Sequence, residues 1–371
     1  MDVTDNREGN NIMYDGSHEI EALVDDAISR GAFPGVVVLV AKAGRTVFSL
    51  VKGNRQLYPN EEPLTIDTLF DMASITKPLA TTYVTLLVCD QESIDLETEI
   101  GNFLPAIAAE SGGITLRQLL LHTGGLPPVP DVYRSFPDGN HIDYEEAVRL
   151  LLSVRPTVPP GKQVVYSCTG FLLLGQFLRA VTGRRLERLF ADLVTEPCGL
   201  EDALFNPPRE LWSRVAATEN CPWRGRWVRG EVHDENSYCF GGDGGNAGLF
   251  AGATDVLELF SALGNGGFVN GHRLFSQHQI GLMTTCFTEG MGGRRSIGFL
   301  MKADDPPCGP LFSDRSLGHT GFTGTSIWME PEKKLTVVAL TNRVHLGRDE
   351  TLPKIKEFRK QLHSAVYGNW G

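Results

Sequence analysis

The sequence predicts a mixed α/β (α+β) protein. An antiparallel sheet flanked by helices is built from both ends of the chain, with a mostly helical domain inserted between them. Three observations predict it. A helical pattern followed by two β-rich runs stands near the N-terminus, a strand pair followed by a helix stands near the C-terminus, and the long middle has helical spacing. The expected boundaries are 14–73 and 241–371 for the sheet domain and 74–240 for the inserted one, with a cleft between them.

The elements follow in order. In "SHEIEALVDDAISR" (17–30), Ile20, Leu23, Val24, Ala27 and Ile28 share one helical stripe, and Gly31 ends it. "GVVVLVAK" and "TVFSLVKG" read as a hairpin around Ala43-Gly44-Arg45. "TGFLLLGQFLRAVTG" is the clearest helix of the middle, closed by Gly183. "GGLPPVPDVYRSFPDG" is a proline-rich loop of the length that usually carries function. "GTSIWMEP" and "KLTVVALTN" form a second hairpin around Pro331-Glu332-Lys333. Residues 350–367 close the chain as a helix through Leu352, Ile355, Phe358 and Leu362.

Composition narrows the function. The 371 residues are 42% hydrophobic and 21% charged, as in an ordinary globular protein. A net charge of −11 argues against a nucleic-acid partner, which needs a basic face. No apolar run reaches the roughly 18 residues of a membrane span. The start, "MDVTDNREGNNIMYDG", is polar and acidic, unlike a secretory signal. The seven cysteines are scattered without a C-x-x-C pair, so neither a zinc site nor a disulfide framework is expected. Together these place the chain, as an expectation, in the cytoplasm, with no metal and no cofactor.

The chemistry centres on "LFDMASITKPLATTYVTLLV" (69–88). Pro78 is tolerated only in the first turn of a helix, so the helix cannot begin much before Ser74. Lys77, one turn on, then shares a face with Ser74. A serine hydroxyl needs a nearby base to become a nucleophile. Lys77 could serve only if its pKa falls well below the usual value of about 10.4. Two further groups could assist: Tyr166 in "PPGKQVVYSCTGFLLLG", just before a helix, and His319 in "GHTGFTGTSIWMEP", leading into a strand. Each has a plainer alternative. Ser74 could be a helix N-cap, Tyr166 a core aromatic, and His319 an ordinary capped histidine.

The order S-x-x-K, Y-S-x, H-T-G resembles the penicillin-recognising serine hydrolases: class C β-lactamases, D-alanyl-D-alanine carboxypeptidases and β-lactamase-like esterases. "LFDMASITKPLATT" looks like their nucleophile segment, and "ITLRQLLLHTGGLP" is similar to a segment of their helical lobe. "PPGKQVVYSCTGFLLLG" matches the tyrosine motif and "LGHTGFTGTSIWMEPEKKLTVVALTNR" the strand motif with its hairpin. The resemblance implies the β-lactamase/transpeptidase-like fold. It also separates two H-T-G triplets: the one at His122 is mainly structural, whereas His319, Thr320 and Gly321 are site residues.

By this resemblance Ser74 is acylated, while Lys77 and Tyr166 share proton transfer. Backbone N–H groups of Ser74 and Phe322 form the oxyanion hole. His319 and Thr320 orient the substrate, particularly any carboxylate. A histidine, unlike a lysine, would titrate in the neutral range, so acidic substrates would be expected to bind less well as pH rises. Cys168 stands where the family usually has Asn or Asp, and a thiol hydrogen-bonds only weakly. That departure favours esters over β-lactams or peptide amides. In "VHDENSYCFGGDGGNAGLF", His233, Asp234, Glu235 and Asn236 look like cleft wall rather than a metal site, since three adjacent residues cannot face one ion. The glycines there lack the lysine of a phosphate loop.

The resulting expectation is a serine hydrolase using an acyl-enzyme on esters or small amides. The alternatives are a class C-type β-lactamase or D,D-peptidase, an inactive binding protein, and an acyltransferase. A small-molecule substrate is the partner expected; the sequence leaves oligomeric state open.

Overall fold

A computed structural model describes residues 17–371. The polar start of the chain, and residues 14–16 of the expected sheet domain, lie outside the described residues.

The main sheet has seven strands: β1 (Gly35–Lys42), β2 (Arg45–Gln56), β3 (Glu62–Pro63), β4 (Leu300–Met301), β5 (Leu317–Thr320), β6 (Ser326–Glu330) and β7 (Leu335–Thr341). Their order across the sheet is β4-β5-β6-β7-β1-β2-β3, antiparallel throughout. β1 and β7 are central neighbours, with Val38 opposite Ala339, so strands from both halves of the chain share one sheet. Both anticipated hairpins are present. In the first, Ala43 and Gly44 take left-handed φ of 49° and 78°, the two-residue turn that matches strand twist.

The longer helices are α1 (Ser17–Ser29), α2 (Tyr83–Gln91), α3 (Tyr144–Leu152), α4 (Cys168–Thr182), α5 (Ala253–Ser261) and α6 (Leu352–Trp370). Strand alternation explains the layers. Val36, Val38 and Val40 of β1, with Val337 and Ala339 of β7, form one core with Ile20 and Val24 of α1 and Ile355, Phe358 and Leu362 of α6. The other face, Val37, Leu39, Val338 and Leu340, joins Val256 and Phe260 of α5 and the large core of the helical region. β1 is apolar at nearly every position because both of its faces are covered.

In the middle, α4 follows its pattern: the Ser167 hydroxyl accepts from Gly170 N at 3.2 Å, and Gly183 at φ +69° closes the helix. The helical spacing did not reveal three short strands there: Ala203–Phe205, Asn220–Cys221 and Arg226–Trp227. The first pairs with Leu249–Ala251, which also pairs with Phe70–Asp71. Such two- and three-residue strands are too short to show a period. The small sheet matters because Asp71 leads directly into the Ser74 turn.

Candidate active site

The turn begins with strain. Ala73 has φ +47°, a left-handed conformation costly for a residue with a Cβ. Asp71 braces it: one carboxylate oxygen accepts from Ala73 N at 2.7 Å and the other from His233 N at 2.6 Å. Ser74 lies in a single 3₁₀ turn, Ala73–Ile75, followed by a wide π-turn, Lys77–Thr82, which runs into α2. Pro78 sits at the start of that wide turn, as its missing N–H requires. Wide turns of this kind are frequent at functional positions.

Ser74 is not acting as a helix cap. Its Oγ accepts a hydrogen bond from Lys77 Nζ at 3.1 Å. Lys77 is fully buried and also donates to the Asn246 carbonyl at 2.7 Å. Burial pulls the Lys77 pKa down, but attraction to Cys168 and Tyr166, hydrogen bonding with Tyr166 and the charge of Asp234 overcome that pull. The net shift is upward. The lysine is therefore held as an ammonium, and the lowered pKa that a free-amine base would need is not provided.

Half-buried Tyr166 stands just before α4. Its turn is fixed from behind by His122, whose Nδ1 accepts from Ser167 N at 3.0 Å and whose carbonyl accepts from Val165 N at 2.8 Å. The His122 and Tyr166 rings lie 4.7 Å apart, so His122 adjoins the site as a support. Lys77 Nζ is 5.2 Å from the phenol ring centroid, and the Arg295 guanidinium carbon is 5.3 Å from it. The His319 ring is 6.0 Å away. Cys168, the first residue of α4, donates its N–H to the Pro128 carbonyl at 2.7 Å and leaves its thiol beside Lys77.

The end of β5 is tied to the Ser74 turn. Thr323 Oγ1 donates to the Asp71 carbonyl at 2.7 Å, and Thr325 Oγ1 to the Met72 carbonyl at 3.2 Å. A Cβ on Gly321 would stand 2.6 Å from that same Met72 carbonyl, so only glycine permits this approach. Thr320 is half-buried, and Phe322 presents its ring at 44% exposure. That ring stacks on His233 at 5.7 Å and lies 4.7 Å from the Arg343 guanidinium carbon.

His319 departs from expectation. Its Nδ1 lies 2.9 Å from the Thr320 carbonyl, which can only accept, so the proton belongs on Nδ1 and Nε2 carries the lone pair. Burial, then the charges of Arg295 and Lys77, hold its pKa well below 6.5. His319 therefore stays neutral across the ordinary pH range, and a charge switch toward substrate carboxylates is not available.

The His-Asp-Glu-Asn segment runs alongside. Asp234 caps a short helix, accepting from Ser237 N at 2.7 Å, and takes a second bond from Asn246 Nδ2 at 3.0 Å. It thereby braces the residue whose carbonyl holds Lys77. Asn236 is buried and accepts from Tyr133 N at 3.3 Å in the proline-rich loop. His233 Nε2 stands 3.3 Å from Glu219. Among the described residues, Glu219, Cys221 and Glu235 bring potential metal-ligand atoms together, but Arg348 bonds both carboxylates, so a guanidinium already supplies the positive charge.

Sequence reasoning missed Asp71, Asn246 and Arg295. The roles of Asp71 and Asn246 depend on partners 162 and 169 residues away, the His233 N–H and the Lys77 amine. Arg295, in "GGRRSIGF", carried no motif at all.

A family model described as Beta-lactamase matches residues 20–358. A putative D-alanyl-D-alanine carboxypeptidase of Escherichia coli K12 is 30% identical, covering 91% of this chain and 85% of that protein. Among solved structures, a penicillin-binding protein homologue from Caulobacter crescentus superposes with a TM-score of 0.74 at 20% identity, over 96% of this chain and 98% of that one. EstCE1, described as a hydrolase with promiscuous acyltransferase activity, gives 0.73 at 23% identity, over 95% and 98%. The chain belongs to the beta-lactamase family, and its fold is that of the β-lactamases and penicillin-binding proteins. It is a serine hydrolase of the kind that acts on esters or amides.

Proposed function

We propose that the chain hydrolyses small, uncharged esters through an acyl-enzyme on Ser74. The observation that carries this is the 3.1 Å hydrogen bond from buried Lys77 to Ser74 Oγ, with the phenol of Tyr166 beside the same ammonium. Tyr166, as phenolate, takes the Ser74 proton while Oγ bonds to the substrate carbonyl carbon. The N–H groups of Ser74 and Phe322 receive the oxyanion. Tyr166 then returns its proton to the departing alkoxide, and water enters by the same route to release the acid. Lys77, held protonated, orients Ser74 by its hydrogen bond to Oγ. In this reading, among the described residues, 17–73 and 241–371 form one domain, 74–240 the other, and substrate enters between them. His233, Asp234 and Asn236 line that entrance, and Thr320 and Gly321 line the acyl side. The seven free thiols suit a reducing compartment such as the cytoplasm.

The neutral His319 supports substrates without a free carboxylate, and the weakly bonding Cys168 supports esters over amides. The second reading is a D,D-carboxypeptidase, favoured by the name of the E. coli relative. Parallel assays of p-nitrophenyl butyrate and a peptide ending in D-alanyl-D-alanine separate the two. Ester turnover is expected to dominate and to vanish in Ser74→Ala. Faster peptide turnover would select the second reading, and an active Ser74→Ala would remove both.

A further inference from the structure

We propose that Arg359, on the helix behind the sheet, is a positioning residue that acts through the Gly321–Phe322 peptide. Its guanidinium holds the Gly321 carbonyl and so aims and strengthens the Phe322 N–H that receives the oxyanion. The proposal rests on the reading that this N–H is one of the two oxyanion donors.

Arg359 lies on α6, whose Phe358 and Leu362 pack behind the sheet, whereas Met72 and Ile75 of the Ser74 turn belong to the core in front. Its Nη2 donates to two carbonyls of the turn after β5, those of Gly321 and Thr325, both at 2.8 Å. The Gly321–Phe322 peptide is trans. A planar trans peptide holds its C=O and N–H antiparallel, so a carbonyl drawn back to α6 leaves the Phe322 N–H facing the Ser74 side. That N–H donates to no protein acceptor among the described residues, as a donor kept for a substrate oxygen must. The front of the same turn is pinned by Thr323 and Thr325 to the carbonyls of Asp71 and Met72, just before Ser74. One frame therefore sets both donors of the hole.

Satisfying the turn does not require a guanidinium. The Gly321 carbonyl already accepts from Gly324 N at 3.1 Å, and the Thr325 carbonyl from Gly321 N at 2.8 Å. Arg359 is buried, its Nε has no hydrogen-bond partner, and among the described residues no carboxylate pairs with it. The charged neighbour that acts on it is a second cation, Arg343. Burial and that repulsion lower its pKa to about 9, so it is charged at neutral pH. Burying such a cation is costly. What it supplies is polarisation: a charge-assisted hydrogen bond draws electron density to the carbonyl oxygen and makes the N–H of the same peptide a stronger donor. The gain is largest toward an anion, so it favours the tetrahedral oxyanion over the neutral ester.

The test compares wild type, Arg359→Met and Arg359→Lys with p-nitrophenyl butyrate. It follows kcat, KM and, by isotope-edited infrared spectroscopy, the carbonyl stretch of the butyryl-enzyme. Removing an oxyanion donor outright costs roughly 10² to 10³ in kcat, so weakening one should cost about tenfold or more. Arg359→Met should therefore lower kcat and kcat/KM together by about that factor, with KM little changed. The carbonyl stretch should move to higher wavenumber, because a weaker hydrogen bond restores double-bond character. Arg359→Lys, which keeps the charge, should return part of both. An unmoved stretch in Arg359→Met, a rise in KM at unchanged kcat, or no return in Arg359→Lys overturns the proposal. Should Arg359→Met not fold, Arg359→Gln, which keeps a donor without the charge, takes its place with the same expected shifts. Failure of both to fold would make Arg359 a residue of the fold alone and also overturn it. Fluorophosphonate labelling of wild type keeps the two readings apart: labelling at Ser74 with an unmoved stretch rejects only the role of Arg359, whereas no labelling at Ser74 rejects the proposed function.

Discussion

Two charged clusters, one around Tyr166 and one around Arg348, are built differently. Around Tyr166 stand two cations, Lys77 and Arg295, with two neutral histidines and orphaned nitrogens on His122, His319 and Arg295. Around Arg348 carboxylates meet the cation directly: its guanidinium bonds Glu219 and Glu235, with Nε to Glu219 at 2.7 Å. Burial pushes the Glu219 pKa up, but Arg348 and His233 outweigh it and bring it to about 2. A cation bonded by carboxylates can hold the fold together. Cations without a carboxylate bonded to them are open to the negative charge that appears when serine is activated.

If the contrast is right, removing a group from each cluster should damage different properties. Tyr166→Phe should lower kcat/KM by about 10² to 10⁴, the usual worth of a general base, and shift Tm little. A large fall in Tm with modest loss of rate would reverse the assignment. Arg348→Met should do the opposite. Leaving buried Glu219 without its partner should cost about 3 kcal/mol in denaturant unfolding while the acidic limb of the rate profile stays in place.

The same cluster sets an acid limit on stability. The folded-state pKa of Glu219 is depressed from 4.5 to about 2, so its contribution is complete above the unfolded value and is lost as pH falls from 4.5 toward 2. Unfolding followed over that window should weaken with falling pH in wild type and much less in Glu219→Gln. Equal slopes would mean that Glu219 is not what the acid removes. The smallest effect concerns His319. Because it is neutral, KM for an acidic and a neutral ester should keep a constant ratio from about pH 5 to 8.5. A ratio that rises through the range would restore the charge switch.

Legibility in the sequence followed the range of the interaction. Both hairpins, α1, α4 and α6 were readable because each is specified by its own period and turn residues. Ser74 and Lys77 were readable because one helical turn brings them together. The electrostatics were not: the raised pKa of Lys77 comes from Cys168, Tyr166 and Asp234, far away in sequence, so the free amine that the S-x-x-K spacing left open is disfavoured. His319 likewise read as titratable until its burial beside Arg295 was visible. Arg295 itself is one of two adjacent arginines in a glycine-rich loop, with nothing local to set it apart from Arg294.

The most direct measurement is to quench wild-type enzyme during turnover of p-nitrophenyl butyrate, digest it, and map the acylated peptide by mass. A butyryl group on Ser74, absent in Ser74→Ala and formed far more slowly in Tyr166→Phe, is the predicted result. An acyl group on any other side chain, or undiminished acylation of Tyr166→Phe, would contradict the account.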